Sequence, residues 1–160
     1  MQIFNDFNTS VKKALEEIDP KYMDYGGLVI CGTHTPSPLG VIEEIREIRH
    51  ARETGLPFLG ICMGHQLAFI EYCRNVLGQS DATSEEFSQK GTFVVKKRPE
   101  GLKVGLHYGE TYWHNYECLG DWEKPPNFIT CQYHPEYQSS IDNPHPLLVK
   151  FIELCKKKKK

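Results

Sequence analysis

Apolar positions recur along this chain in two rhythms. Phe7, Val11, Ala14, Leu15 and Ile18 fall three or four apart, the spacing of one face of a helix, with Asp6 or Asn8 placed to cap it. "GLVIC" (27–31) and "PFLGIC" (57–62) are short continuous apolar runs rich in branched side chains, and they predict buried strands. "THTPSPLG" (33–40) predicts a loop, because its prolines interrupt regular structure. Val41, Ile45 and Ile48 mark a second amphipathic helix ending near Gly55, and Leu67, Ile70 and Leu77 a third, stopped by Gly78. A short strand is expected around Ile3 and Phe4. Further strands are expected near 92–95, 103–108 and 111–117, then a loop at "GDWEKPPN" and a strand over "FITCQYH" (128–134). "HPLLVKFIELC" (145–155) predicts a closing helix with Pro146 in its first turn. Strands and helices alternate, so the expected fold is α/β with a mostly parallel sheet, right-handed crossovers, and the "GLVIC" and "FLGIC" strands central. No repeat or internal domain boundary breaks the pattern.

Composition narrows the picture. A chain of 160 residues suits one domain with a real core. With 39% hydrophobic and 25% charged residues it has the profile of a soluble globular protein. A formal charge of -2 offers no broad basic field, so no nucleic-acid partner is expected. No apolar stretch reaches the roughly 18 residues of a spanning helix, and the N-terminus lacks a secretion signal, so no membrane association is expected. The terminal run Lys156 to Lys160 reads as a solvated tail, or else as a contact for an acidic partner or membrane surface. Six cysteines sit at irregular spacings, several in apolar runs and none in a Cys-x-x-Cys pair. That pattern favours reduced thiols in a cytoplasmic protein over a disulfide framework. Cys31 and His34 are three apart, but no second ligand pair accompanies them, so no metal is expected.

The candidate chemistry starts at Gly60-Ile61-Cys62-Met63-Gly64, which joins a predicted strand to a predicted helix. This is the cysteine form of the Gly-x-nucleophile-x-Gly elbow. So tight a reversal forces the central residue into strained backbone angles, and the glycines remove side chains that would collide. The thiol then stands at a helix N-terminus, where the dipole and free N–H groups favour thiolate. The Met63 N–H is placed to face an oxyanion. The alternative is a packed, inert cysteine. A nucleophile needs a base, and the base needs an orienter. "CQYHPEY" (131–137) supplies both: His134 and Glu136 are two apart at the end of a predicted strand, where period-2 geometry turns them to one side. His65 is expected on a helix surface, and His114 in a strand lining the pocket.

"PFLGICMGHQ" followed far downstream by "CQYHPEY" resembles the class I glutamine amidotransferases, most closely the glutaminase domain of CTP synthase. "LGICMGHQLAFIEYCRNVLG", "SEEF" (84–87), "CQYHPEYQS" and "HPLLVKFI" carry the likeness over most of residues 25 to 155. The chain is similar also to the free-standing proteins related to the CTP synthase C-terminal region, through "DFN", "ARETGLPFLG" and "YCRNVLG". The resemblance implies a flavodoxin-like three-layer sandwich over residues 1–155, with 156–160 a lysine tail, and hydrolysis of a glutamine side-chain amide without a cofactor. It implies Cys62 as nucleophile, His134 as base and Glu136 as orienter. It also implies Gln66 and Glu86 at the amino-acid end of the substrate, and Gly32 with Thr33 in the oxyanion loop.

Three departures stand out. The family's Gly-Gly-Phe-Gly loop is here Gly32-Thr33-His34-Thr35, whose Cβ atoms resist the positive φ such loops use. The family's Arg-His-Arg-Tyr-Glu segment is here Trp113-His114-Asn115-Tyr116-Glu117. Asn115, beside Tyr116 at the substrate's carboxylate, makes no charged bidentate clamp. The chain is also shorter than the family pattern before "GLVIC" and before Trp113. It carries no Gly-x-x-x-x-Gly-Lys-[Ser/Thr] phosphate loop, so ammonia transfer would need a synthase or acceptor partner. Three readings follow: a thiol amidohydrolase of glutamine or a γ-glutamyl compound, a binding or regulatory module that keeps the pocket without turnover, and a thiol hydrolase of an unrelated substrate.

Overall fold

The structure is a computed structural model and describes residues 1–158. Four strands form the central sheet: β1 (Gln2–Phe4), β2 (Leu28–Ile30), β3 (Phe58–Ile61) and β9 (Phe128–Cys131). They are all parallel in the order β1-β2-β3-β9, so the "GLVIC" and "FLGIC" strands are central as the alternation predicts. Side chains alternate across this sheet. Leu28, Ile30, Phe58 and Phe128 pack with helices α2 (Pro38–Thr54) and α3 (Met63–Asn75) on one face. Val29, Cys31, Leu59, Ile61, Ile129 and Cys131 pack with α1 (Asn8–Ile18) and α4 (Pro146–Lys157) on the other. The two central strands, β2 and β3, are short and buried throughout, which is why their sequences read as continuous apolar runs.

Helix ends follow local chemistry. The α2 start lies inside the expected loop: Ser37 accepts from the Gly40 N–H at 3.1 Å and Pro38 takes the first position, where it forfeits no helical bond. Gly55 closes the helix in the left-handed region at φ 69°. At α1 neither Asp6 nor Asn8 caps; Phe7 holds the cap position without a side-chain bond. Asp6 instead accepts from the Thr33 hydroxyl at 2.7 Å, tying the helix start to the loop after β2. The closing helix runs through Lys157, so the first two terminal lysines stand on its last turn, and Lys156 pairs with Asp19 at 2.7 Å. The remainder of the expected tail, 159–160, lies outside the described residues.

The middle of the chain adds two small sheets. β4 (Ala82–Ser84), β5 (Thr92–Lys97) and β8 (Tyr116–Cys118) form one; β6 (Lys103–His107) and β7 (Glu110–His114) form a separate hairpin. β4 was not expected from the pattern. The single strand expected over 111–117 is two: the chain changes partner at Asn115, whose carbonyl accepts from the Arg98 N–H at 2.8 Å, so β7 pairs with β6 and β8 with β5. The first small sheet covers the outer side of α3. That helix is therefore buried nearly all round, which explains its weak amphipathic pattern. Among the described residues no helix is long and apolar enough to cross a membrane.

Candidate active site

Cys62 follows the last residue of β3 and precedes the first of α3, with φ 55° and ψ −104°. This is a strained conformation for a residue with a Cβ. The elbow's glycines are required by sterics. A Cβ on Gly64 would stand 2.1 Å from the Ile30 carbonyl oxygen, and one on Gly60 would stand 2.8 Å from the Gly64 backbone. The strain is held by the sheet: the Cys62 N–H donates to the Cys131 carbonyl at 2.9 Å, and its carbonyl accepts the first helical bond from Gln66 at 3.2 Å. Met63, the first helical residue, lies at the end of α3 where N–H groups have no intrahelical partner.

His134 is brought beside Cys62 by the turn after β9. The strand ends at Cys131, and a 3-10 turn spans Pro135–Gln138, so strand alternation is not what aligns His134 with Glu136. The turn does so: His134 Nδ1 and Glu136 Oε1 are 2.7 Å apart, and both residues are buried. With Glu136 ionised, Nδ1–H donates to it, so Nε2 is the ring nitrogen that gains or loses a proton. Nε2 is buried without a closed hydrogen bond, the open geometry common in unliganded catalytic pairs. Closeness to Cys62 shows at Gly32, where an added Cβ would lie 3.2 Å from His134 Cε1 and 3.4 Å from Cys62 Cβ. Burial works against the charged ring, but interaction with Cys62 and Glu136 outweighs it and raises the His134 pKa to about 10. The thiol also meets the Trp113 carbonyl and the Gln132 Nε2, each at 3.6 Å.

A pocket of about 220 Å³ opens over the thiol. Thr33, Cys62, Met63, Gln66, Glu86, Asn115, Tyr116 and His134 line it, eight of the ten residues singled out in the sequence. The other two stand behind the wall, Gly32 against His134 and Glu136 bonded to it. Gln66 Nε2 donates to the Tyr116 carbonyl at 2.9 Å and to Gln132 Oε1 at 3.1 Å, which leaves its own Oε1 buried without a partner. Burial raises the Glu86 carboxyl to about 7. Among the described residues no lysine or arginine lines the pocket. The loop after β2 avoids the difficulty expected of its side chains: no residue from 32 to 35 has a positive φ, and Asp6 anchors Thr33 and Thr35 through their hydroxyls.

His65 is less exposed than expected. Its Nδ1 lies 3.0 Å from the Thr130 hydroxyl, and burial lowers its pKa to about 4. His114 does line the pocket, with Nε2 2.9 Å from Glu117 Oε1, and Glu117 also pairs with Arg98. Phe7, His34, Leu102 and Trp113 complete the wall. Gln132 and Trp113 sit inside motifs whose candidate residues are others, and the spacing marks Phe7 only as a helix-face residue. The signal for them was adjacency to the motifs, which does not tell which side chain turns inward. All six cysteines are free thiols, and no group of three or more potential metal ligands occurs among the described residues.

The family model for class-I glutamine amidotransferases matches residues 5–125 of this chain. The chain belongs to that family. The match takes in the elbow at Cys62 and stops before His134. CTP synthase of Methanoculleus marisnigri is 34% identical over 187 aligned residues, covering 85% of this chain and 35% of that protein. CTP synthase of Encephalitozoon cuniculi is 33% identical, covering 71% of this chain and 31% of that protein. The chain thus spans about a third of the length of these relatives. The glutaminase domain of Trypanosoma brucei CTPS, solved with bound acivicin, superimposes with a TM-score of 0.76 at 20% identity, covering 99% of this chain and 94% of that one. The amidotransferase fold is therefore present here nearly from end to end.

Proposed function

We propose that this amidotransferase domain hydrolyses the side-chain amide of glutamine or of a γ-glutamyl compound through a cysteinyl thioester. The observation that carries the reading is a strained cysteine at a helix N-terminus, set beside a buried His134–Glu136 pair in one pocket. His134 takes the Cys62 proton, and the thiolate attacks the amide carbon. The oxyanion forms beside Met63 at the start of α3 and the Gly32-Thr33 loop, where free N–H groups stabilise it. His134, held as an imidazolium by Glu136, then protonates the leaving nitrogen and the C–N bond breaks. Water attacks the thioester, His134 accepts its proton, and the C–S bond breaks to give the acid and restore Cys62. Glu86 receives the substrate's amino group, while Gln66, Asn115 and Tyr116 bound that end of the pocket. The relatives are about three times longer, which supports an ammonia acceptor on synthase sequence outside this chain. The test is ammonia release from glutamine: the wild type is expected to turn over and Cys62→Ala to fall to background. Limited iodoacetamide treatment is expected to label Cys62 ahead of the other five thiols. A wild type that binds glutamine but releases no ammonia instead supports the binding-module reading, which the lack of a lysine or arginine among the described residues of the pocket favours.

A further inference from the structure

The wall of the pocket beside His134 is aromatic and assembled from three distant parts of the chain. Phe7 comes from the start of α1, His34 from the loop after β2 and Trp113 from β7. Their ring centroids lie 5.1 Å apart for Phe7–His34, 4.8 Å for His34–Trp113 and 6.0 Å for Phe7–Trp113, and Phe7 stands 5.3 Å from the His134 ring. Phe7 is half-buried and packs against the core, whereas the other two rings are not core. Trp113 is 41% exposed and His34 is exposed, so the cluster keeps open apolar surface where it lines the pocket. The lining also offers acceptors: Glu86, together with the unpartnered Gln66 Oε1, whose amide the Tyr116 carbonyl fixes in orientation.

Thiol chemistry assigns the two ends. The base that takes the thiol proton must give it to the leaving nitrogen, so that nitrogen lies within reach of His134. The acyl chain then runs toward Gln66 and Glu86, and whatever the nitrogen carries runs toward Phe7, His34 and Trp113. Glutamine's nitrogen carries only hydrogens and leaves that wall bare. We infer that the site is built for γ-glutamyl amides whose nitrogen bears an alkyl or aryl group, releasing a primary amine. This inference rests on the hydrolase reading above and narrows its substrate class. The overall reaction is secondary amide plus water to carboxylic acid plus amine. His134 delivers the former thiol proton to the amine nitrogen, then takes a proton from the attacking water, and no further reactant enters.

The experiment compares glutamine with γ-glutamylbenzylamide, following ammonia and benzylamine respectively, in wild type, Phe7→Ala and Trp113→Ala, with His34→Ala as an exposed-site variant. Burying a ring against three others is expected to raise kcat/KM for the benzylamide at least tenfold above glutamine, about 1.4 kcal/mol of added transition-state binding. Each variant is expected to lower the benzylamide-to-glutamine ratio at least fivefold. Glutamine turnover with no preference for the benzylamide, or a ratio unmoved by the variants, overturns the inference while leaving the hydrolase reading intact. Failure of both substrates, with no hydroxamate formed when hydroxylamine is offered to trap a thioester, overturns the hydrolase reading itself.

Discussion

Glu86 shows how far one environment moves one side chain. Burial lifts its carboxyl from the ordinary 4.5 to about 7, because desolvation penalises the charged form. The folded chain therefore holds a proton that the unfolded chain has released between about pH 4.5 and 7. The stabilisation is fully present below the unfolded pKa and is lost as pH rises through about 7. Glu86→Gln keeps the shape and cannot ionise, so its stability relative to wild type should increase across that window in urea melts at stepped pH. Function runs the opposite way. An ammonium needs the carboxylate, so kcat/KM should fall as pH drops below about 7, and Glu86→Gln should lose that limb of the profile. A limb that persists in the variant would assign the titration to another group. This residue's position was legible in "SEEF" through the family resemblance. Its raised pKa was not, because burial there is supplied by residues far along the chain.

At the scale of elements, α2 and α3 are joined by one buried ion pair. Arg52 Nε lies 3.1 and 3.0 Å from the two Glu71 oxygens and its Nη2 2.8 Å from Oε1, while the Glu71 side chain is fully buried. Removing only the arginine leaves a buried carboxylate uncompensated in charge, with Asn75 Nδ2 at 3.2 Å as a remaining donor, in the layer between the central sheet and β4-β5-β8. Arg52→Met should cost about 3–5 kcal/mol, and Arg52→Met with Glu71→Leu should recover most of it, since such pairs are replaceable by well-packed apolar residues. Chemical denaturation of the three proteins measures both. Equal stability of the single and double variants would show that Glu71 finds water or another partner. The sequence marks both residues only as polar positions on their helices. Period and propensity place the helices, but they do not say that a third layer covers α3 and removes Glu71 from solvent.

At the scale of the whole molecule, the site is a convergence of segments that the chain separates widely. Phe7, Cys62, Glu86, Trp113 and His134 line one pocket though they come from α1, the β3–α3 elbow, the turn after β4, β7 and the turn after β9. No local unit holds Cys62, His134 and the rest of the pocket wall together. Loss of the site should therefore coincide with loss of the fold. Cys62 alkylation rate and far-UV circular dichroism should report the same urea midpoint, as for one cooperative unit. A lower midpoint for Cys62 would mean that the elbow opens separately from the central sheet.

The sequence by itself determined whatever short-range physics controls. Continuous apolar runs gave β2 and β3, three-and-four spacing gave the helices, and Gly60 and Gly64 marked a turn that no other residue fits. That pattern alone predicts a parallel α/β domain with a cysteine at an elbow, and "CQYHPEY" supplies a candidate base. Tertiary structure decided what depends on neighbours distant in sequence. The run 111–117 divides at Asn115 because two different sheets compete for it. Asp6 leaves the α1 cap because Thr33 and Thr35 lie across from it. Gln132 reaches the thiol because β9 pairs beside β3. The aromatic wall exists only where α1, the β2 loop and β7 meet. Hydrophobic periodicity carries the direction of a side chain relative to its own element, whereas a pocket needs the direction of each element relative to the others. That second quantity is set by sheet pairing and packing, and only the folded chain contains it.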